Sequence, residues 1–330
     1  MRKIRCALDY CVLVWRGLEC RQVGLGRRFG VAGREEDMIV DCHTHIWANI
    51  DQLGKGAGEY IRRQCGQDNV AAGAAEHARA AECVDKSLVF GFRSVDLDAS
   101  VPNDYVAEYV GRHPAKMIGV AAVDPSEAGA ADEAERCLGR SEFRGLTISP
   151  ATQNIHPCDS RAMGIYELAL SRRAPVFFCQ STHFPAQGRM EYARPSLLDE
   201  IAREFPDLVI VISSMGHPWI EEGIALIGKH PCVFGDIAGL VHRPWQAYNA
   251  LVLAHQFNVM DKMLFGSDFP YCTAAEAIKS VYRMNEVTQG TNLPSVPREA
   301  LRTMVERDAM TALGIARPGE PVARPKDDEI

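Results

Sequence analysis

Eight times along this chain a short apolar run is followed by an amphipathic segment, and that alternation constrains the fold more than anything else in it. The runs fall at residues 38–42 (MIVDC), 87–92 (SLVFGF), 116–123 (KMIGVAAV), 144–149 (RGLTIS), 175–180 (PVFFCQ), 208–214 (LVIVISS), 232–237 (CVFGDI) and 262–267 (KMLFGS). Most are near-continuous in Val, Ile, Leu or Phe, the pattern of parallel strands covered on both faces. Between and after them, near 70–84, 102–112, 127–139, 160–172, 195–204, 219–229, 243–257 and 273–285, apolar residues recur at helical spacing. Pro102, Pro195 and Pro244 stand near helix starts, where a missing N–H costs little. The pattern predicts a single (β/α)8 TIM barrel over 38–315, with an extra C-terminal helix at 297–313.

Three segments lie outside this series. Residues 1–37 are Arg-rich and aperiodic and read as an N-terminal extension, Met38 being a natural start. The connection 46–69 is long and carries Gly54, Gly56 and Gly58, which predicts a loop over the barrel mouth. Residues 316–330 are polar and Pro-containing, the composition of a disordered tail.

The bulk numbers exclude several classes of function. A net charge of −7 over 330 residues offers no basic surface for nucleic acid. No run approaches the ~20 apolar residues that span a bilayer. Eleven cysteines are scattered with no CxxC pair, which predicts free thiols in a reducing, cytoplasmic setting. A small-molecule substrate is the partner this leaves.

The chemistry concentrates at two strand ends. In Asp41-Cys42-His43-Thr44-His45, residues two apart on a strand share a side, so His43 and His45 project together where active sites of such barrels lie. Two imidazoles on one face make half of a divalent metal site. The eighth run closes as Phe265-Gly266-Ser267-Asp268-Phe269-Pro270, which brings a carboxylate beside the first strand once the barrel shuts.

These motifs, with the turn Gly216-His217-Pro218-Trp219, resemble the amidohydrolase-related family of metal-dependent hydrolases and decarboxylases over residues 38–313. That group includes aminocarboxymuconate-semialdehyde decarboxylase, resorcylate-type decarboxylases and dicarboxylate lactonases. The resemblance implies one divalent metal, usually zinc, held by His43, His45, a strand 5 histidine and Asp268, with a strand 6 histidine assisting proton transfer. It also implies an open question of homodimer formation, since relatives often dimerise.

Two positions depart from the family pattern. The strand 5 histidine is replaced by Cys179 and the strand 6 histidine by Ser214; the strand 4 segment Gly145-Leu-Thr147-Ile-Ser149-Pro150 also lacks the Lys and His often found there in relatives. A Cys179 thiolate is a competent zinc ligand, and His183, four residues on, is the other candidate. Serine cannot do the acid–base work of imidazole near neutral pH, so His217 is the candidate to replace it, beside Asp268. Arg243 after strand 7 suits a substrate carboxylate, and Trp47 is a candidate pocket wall. Three functions follow: a hydrolase of a small carboxylated lactone, amide or ester; a non-oxidative decarboxylase of a small aromatic or unsaturated acid; or a degenerate barrel that only binds.

Overall fold

The computed structural model describes residues 38–65, 70–179 and 185–315. The N-terminal extension, the C-terminal tail and His183 therefore lie outside the described residues. Eight parallel strands follow one another in chain order: β1 Val40–His45, β2 Lys86–Phe90, β3 Met117–Ala122, β4 Phe143–Ile148, β5 Val176–Phe178, β6 Ile210–Ile212, β7 Val233–Asp236 and β8 Met263–Leu264. Helices separate them, as the eightfold alternation predicts. The seam between β8 and β1 is closed by backbone hydrogen bonds from Cys42 to Phe265, Asp268 to His43 and His45 to Phe269, at 2.9, 3.0 and 2.9 Å. This is a (β/α)8 barrel.

Its interior and its outer layer are separate cores. Inside, Val40, Cys42, Leu88, Phe90, Ile118, Val120, Phe177, Val211 and Leu264 pack together with Ala309, Met310 and Leu313 from the C-terminal segment. The last helical turns thus plug the barrel floor. Outside, the helices bury Val and Ile from the alternate strand faces. Side chains on both faces are withdrawn from water, which is why the strands read as continuous apolar runs rather than alternating ones.

Three local expectations need correction. The glycine-bearing connection is not an open loop: a 3-10 turn at Ile50–Leu53 runs into a helix at Gly54–Cys65. Asn49 caps it with Gln52 as a capping box, and Ile50, Leu53 and Ile61 are buried. Packing overrides the poor helix propensity of glycine. Gly54 takes φ of 76° and passes so close to Leu97 that a Cβ would stand 2.4 Å from its carbonyl oxygen. Leu97 belongs to a feature the alternation did not signal, an antiparallel hairpin of Phe92–Ser94 and Ala99–Val101 after β2. The C-terminal helix is broken into Arg298–Val305 and Ala309–Ala312, because the Asp308 side chain accepts from the Thr311 amide and starts a new helix. Trp47 is 3% exposed, sits in the outer apolar layer and donates its indole N–H to the Val70 carbonyl at 2.9 Å.

Candidate metal centre

An irregularity in β1 aims its histidines. Strand β1 carries one residue more than β2 between Asp41 and Thr44: Asp41 pairs with Ser87 while Thr44 pairs with Val89. Below this bulge Val40 and Cys42 face the barrel interior. Strict alternation would then turn His43 and His45 outward. The extra residue flips the phase, so the His43 ring stacks on interior Phe90 with centroids 4.5 Å apart, and His45 follows at 5.7 Å. Thr44 faces out instead. Its hydroxyl donates to the Leu88 carbonyl at 2.6 Å and accepts from His77 Nε2–H at 2.7 Å, while His77 Nδ1 accepts from the Tyr109 hydroxyl at 2.8 Å.

The two rings present Nε2 to Nε2 at 3.0 Å, and Asp268 Oδ1 lies 3.9 Å from His45 Nε2. One ligand atom from each of His43, His45 and Asp268 falls within 4.8 Å of the other two. Asp268 takes φ of 62°, a left-handed conformation that short polar side chains tolerate.

A residue the sequence did not single out orients this group. Asp236, at the end of β7 and fully buried, accepts from His43 Nδ1–H at 2.9 Å through Oδ2. Its Oδ1 accepts from the Ser214 amide at 2.7 Å and the Ala238 amide at 3.0 Å. With Nδ1 protonated toward Asp236, the lone pair of neutral His43 is left on Nε2, where it is available to a metal. Asp41 braces the seam by accepting from the Ser267 amide at 2.9 Å. The only sequence signal for Asp236 was a carboxylate ending a buried strand.

The electrostatics favour a cation here. Burial opposes a charged His43 ring, yet Asp236, through charge and hydrogen bond, and Cys179 outweigh it and hold that ring well above its usual pKa. Burial, and then the charge on His43, hold His45 well below it. Two Nε2 atoms facing each other at 3.0 Å need a proton or a cation shared between their lone pairs. Burial pushes Asp268 up to about 7, with Asp236 and Asp41 adding to the rise and His43 and Arg243 opposing it. Burial likewise brings Asp41 to about 6. A buried cluster of carboxyls relieved by positive charge, with N and O donors, is the donor chemistry of zinc, manganese or iron.

Comparison with known proteins identifies the chain. A family model described as amidohydrolase matches residues 40–306. The chain belongs to the amidohydrolase family. No curated protein matches it. Among solved structures, the fold is similar to that of a probable 2-pyrone-4,6-dicarboxylic acid hydrolase from Acinetobacter baumannii with citric acid bound, at 13% identity and TM-score 0.59 over 84% of this chain and 99% of that one. It is similar to a dihydroxybenzoic acid decarboxylase from Polaromonas sp. JS666 with bound manganese and 2-nitroresorcinol, at 15% identity and TM-score 0.61 over 84% and 97%. It is also similar to an amidohydrolase from Burkholderia multivorans with bound zinc, at 15% identity and TM-score 0.58 over 84% and 100%.

In this amidohydrolase the two departures sit at the same mouth. Cys179, half-buried just past β5, lies outside the close trio. Its sulfur is 3.3 Å from Thr147 Oγ1 on β4. Ser214 turns away from the trio's chemistry: its hydroxyl accepts from the Gly239 amide at 3.1 Å and its amide serves Asp236. Ser214, Met215 and Gly216 take φ of 52°, 52° and 75° in succession, and this left-handed turn presents His217. His217 is half-buried, with a buried Nδ1 that has no hydrogen-bond partner among the described residues. Burial, then the charge of Arg243, lowers its pKa and keeps the ring neutral. No helix among the described residues is long and apolar enough to cross a membrane.

Proposed function

We propose that this amidohydrolase is a metal-dependent hydrolase of a small carboxylated lactone, amide or ester. The observation that carries the reading is the convergence of His43, His45 and Asp268 within 4.8 Å at the strand ends of the barrel. His43, His45 and one oxygen of Asp268 would hold a divalent cation, zinc in this proposal. A cation bound there supplies Lewis acidity, polarising the scissile carbonyl and lowering the pKa of water. Asp268 accepts the proton of the attacking water and returns it to the leaving oxygen or nitrogen. Asp236 keeps His43 in the tautomer that binds. His217, neutral beside Arg243, is the residue proposed to assist proton transfer in place of the missing strand 6 histidine.

The charge of Arg243 is felt at both Asp268 and His217, which supports a substrate bearing a carboxylate. The similarity to a probable pyrone-dicarboxylic acid hydrolase supports a lactone among the candidates. The Ser214 hydroxyl, tied to a backbone amide, offers no acid to protonate a carbanion, which favours hydrolysis over decarboxylation.

Metal analysis of protein purified without chelators, followed by a panel of carboxylated lactones, esters and amides, tests this. Stoichiometric metal with acid release from one class is expected. Carbon dioxide release from aromatic acids instead would replace the hydrolase reading. Metal that stays far below stoichiometry after reconstitution would end the enzymatic reading altogether.

A further inference from the structure

A buried side chain stands behind both strands that carry the trio. His77, in the helix Ala74–Ala80, is fully buried. Its Nε2 lies 2.7 Å from Oγ1 of Thr44, the residue between His43 and His45. Its ring meets Phe269, the residue after Asp268, edge-on with centroids 5.3 Å apart. Thr44 and Phe269 are themselves bridged across the seam, where the His45 amide donates to the Phe269 carbonyl at 2.9 Å. The direction of every hydrogen bond here is fixed from one end. The Leu88 carbonyl can only accept, so the Thr44 hydroxyl gives its hydrogen there. Toward His77, Thr44 must then accept, which places the ring proton on Nε2. Nδ1 is left as the acceptor, and buried Tyr109, on the helix Asn103–Arg112, donates to it at 2.8 Å. The Ser87 hydroxyl, 3.4 Å from Nε2, is the longer contact. These bonds hold Thr44 on the outer face just past the bulge, and a strand that keeps Thr44 out keeps His43 and His45 in.

We infer that His77 is a positioning residue for the metal centre: by holding Thr44 and Phe269 from behind, it fixes the directions in which His43, His45 and Asp268 point. The inference rests on the metal-centre reading above and deepens it by naming what aims the donors. Asp236 sets the tautomer of one imidazole. His77 ties together the two strand ends from which all three donors come. It touches none of the three through a hydrogen bond, so its effect passes through Thr44 and Phe269.

Cobalt(II) binding to the full-length apo protein tests it, with His77→Leu and His77→Gln side by side. Glutamine can donate its amide N–H to Thr44 and accept from Tyr109 through its carbonyl; leucine can do neither. His77→Leu should bind cobalt about 10-fold more weakly, the lower end of the range for outer partners of metal ligands. Its visible d–d bands should change shape as the imidazoles lose their aim. His77→Gln should recover the wild-type affinity and bands. Thr44→Val, which keeps the β-branched shape, should copy His77→Leu, and the double variant should bind no more weakly than the weaker single one. Because variants can fail to fold, ring-nitrogen NMR of the wild-type apo protein is the second measurement, with His77 expected as the Nε2–H tautomer. A folded His77→Leu with a lower urea midpoint but wild-type cobalt affinity and bands would overturn the positioning role and leave the centre standing. A His77 ring protonated on Nδ1 would overturn the chain of hydrogen bonds on which the role rests. Failure of the wild type to bind cobalt or zinc, with the Nε2–H tautomer in place, would strike the metal-centre reading itself and this role with it.

Discussion

The Asp236 carboxylate stands 2.9 Å from Nδ1 of His43, across the interior from strand to strand, and it has no freedom to turn. Its other oxygen is pinned by the amides of Ser214 and Ala238. Replacement by asparagine would keep the shape and reverse the chemistry. The two amides need an oxygen, so the new NH2 must face His43 and donate to Nδ1. That moves the ring proton to Nε2, where the metal should be. Asp236→Asn is therefore expected to lower metal affinity by about 10- to 100-fold, read by competition with a chromophoric chelator. An unchanged affinity would remove Asp236 from the centre.

Asp268 is assigned two roles, and one substitution separates them. Asp268→Asn keeps an oxygen donor but cannot carry the proton of the attacking water. At full metal load kcat should fall by about 10²- to 10⁴-fold, the range of a lost general base, while metal stoichiometry measured by elemental analysis stays near that of the wild type. A variant that loses metal and activity in parallel would assign Asp268 to binding alone.

Acid should destabilise the fold through His77. Its ring donates to Thr44 and accepts from Tyr109, a pattern only the neutral form can make, and burial lowers its pKa to about 3. The unfolded value is 6.5. The folded pKa lies below the unfolded one, so the unfolded chain takes up a proton first as pH falls. Stability from this group is whole above about pH 7 and is lost between about 6.5 and 3, with a slope approaching ~1.4 kcal/mol per pH unit. Urea denaturation across that window should be steeper in pH for the wild type than for His77→Gln. Equal slopes would show that the burial of His77 is not felt.

Gly216 should not tolerate a side chain. It takes φ of 75°, and a Cβ would stand 2.1 Å from Cγ of Pro195. Gly216→Ala combines a left-handed strain with a collision against a ring that cannot rotate away. A loss of about 2 kcal/mol or more is expected, seen as a lower urea midpoint. A loss of less than about 0.5 kcal/mol, the scale of a neutral surface change, would show that the turn relaxes.

The eight strands were legible because apolar runs interrupted by helical periodicity leave few other architectures. His43 and His45 were legible as a pair because a strand repeats every two residues, and Asp268 as their partner because a closed barrel joins its last strand to its first. The connection at 46–69 was misread because Gly54 serves close approach to a hairpin that lies elsewhere in the chain, and the rest of the segment packs as a helix. The break at Asp308 was misread because a cap competes with periodicity over a single residue.

The sequence by itself determined the barrel, the end of it that carries the chemistry, and the family. It could not say which way the histidines point, because alternation defines a shared side and not the inner one; a single extra residue between Asp41 and Thr44, opposite Ser87 and Val89, made that choice. Nor could it pair Asp236 with His43, since such a contact between distant residues exists only once the strands have closed in register.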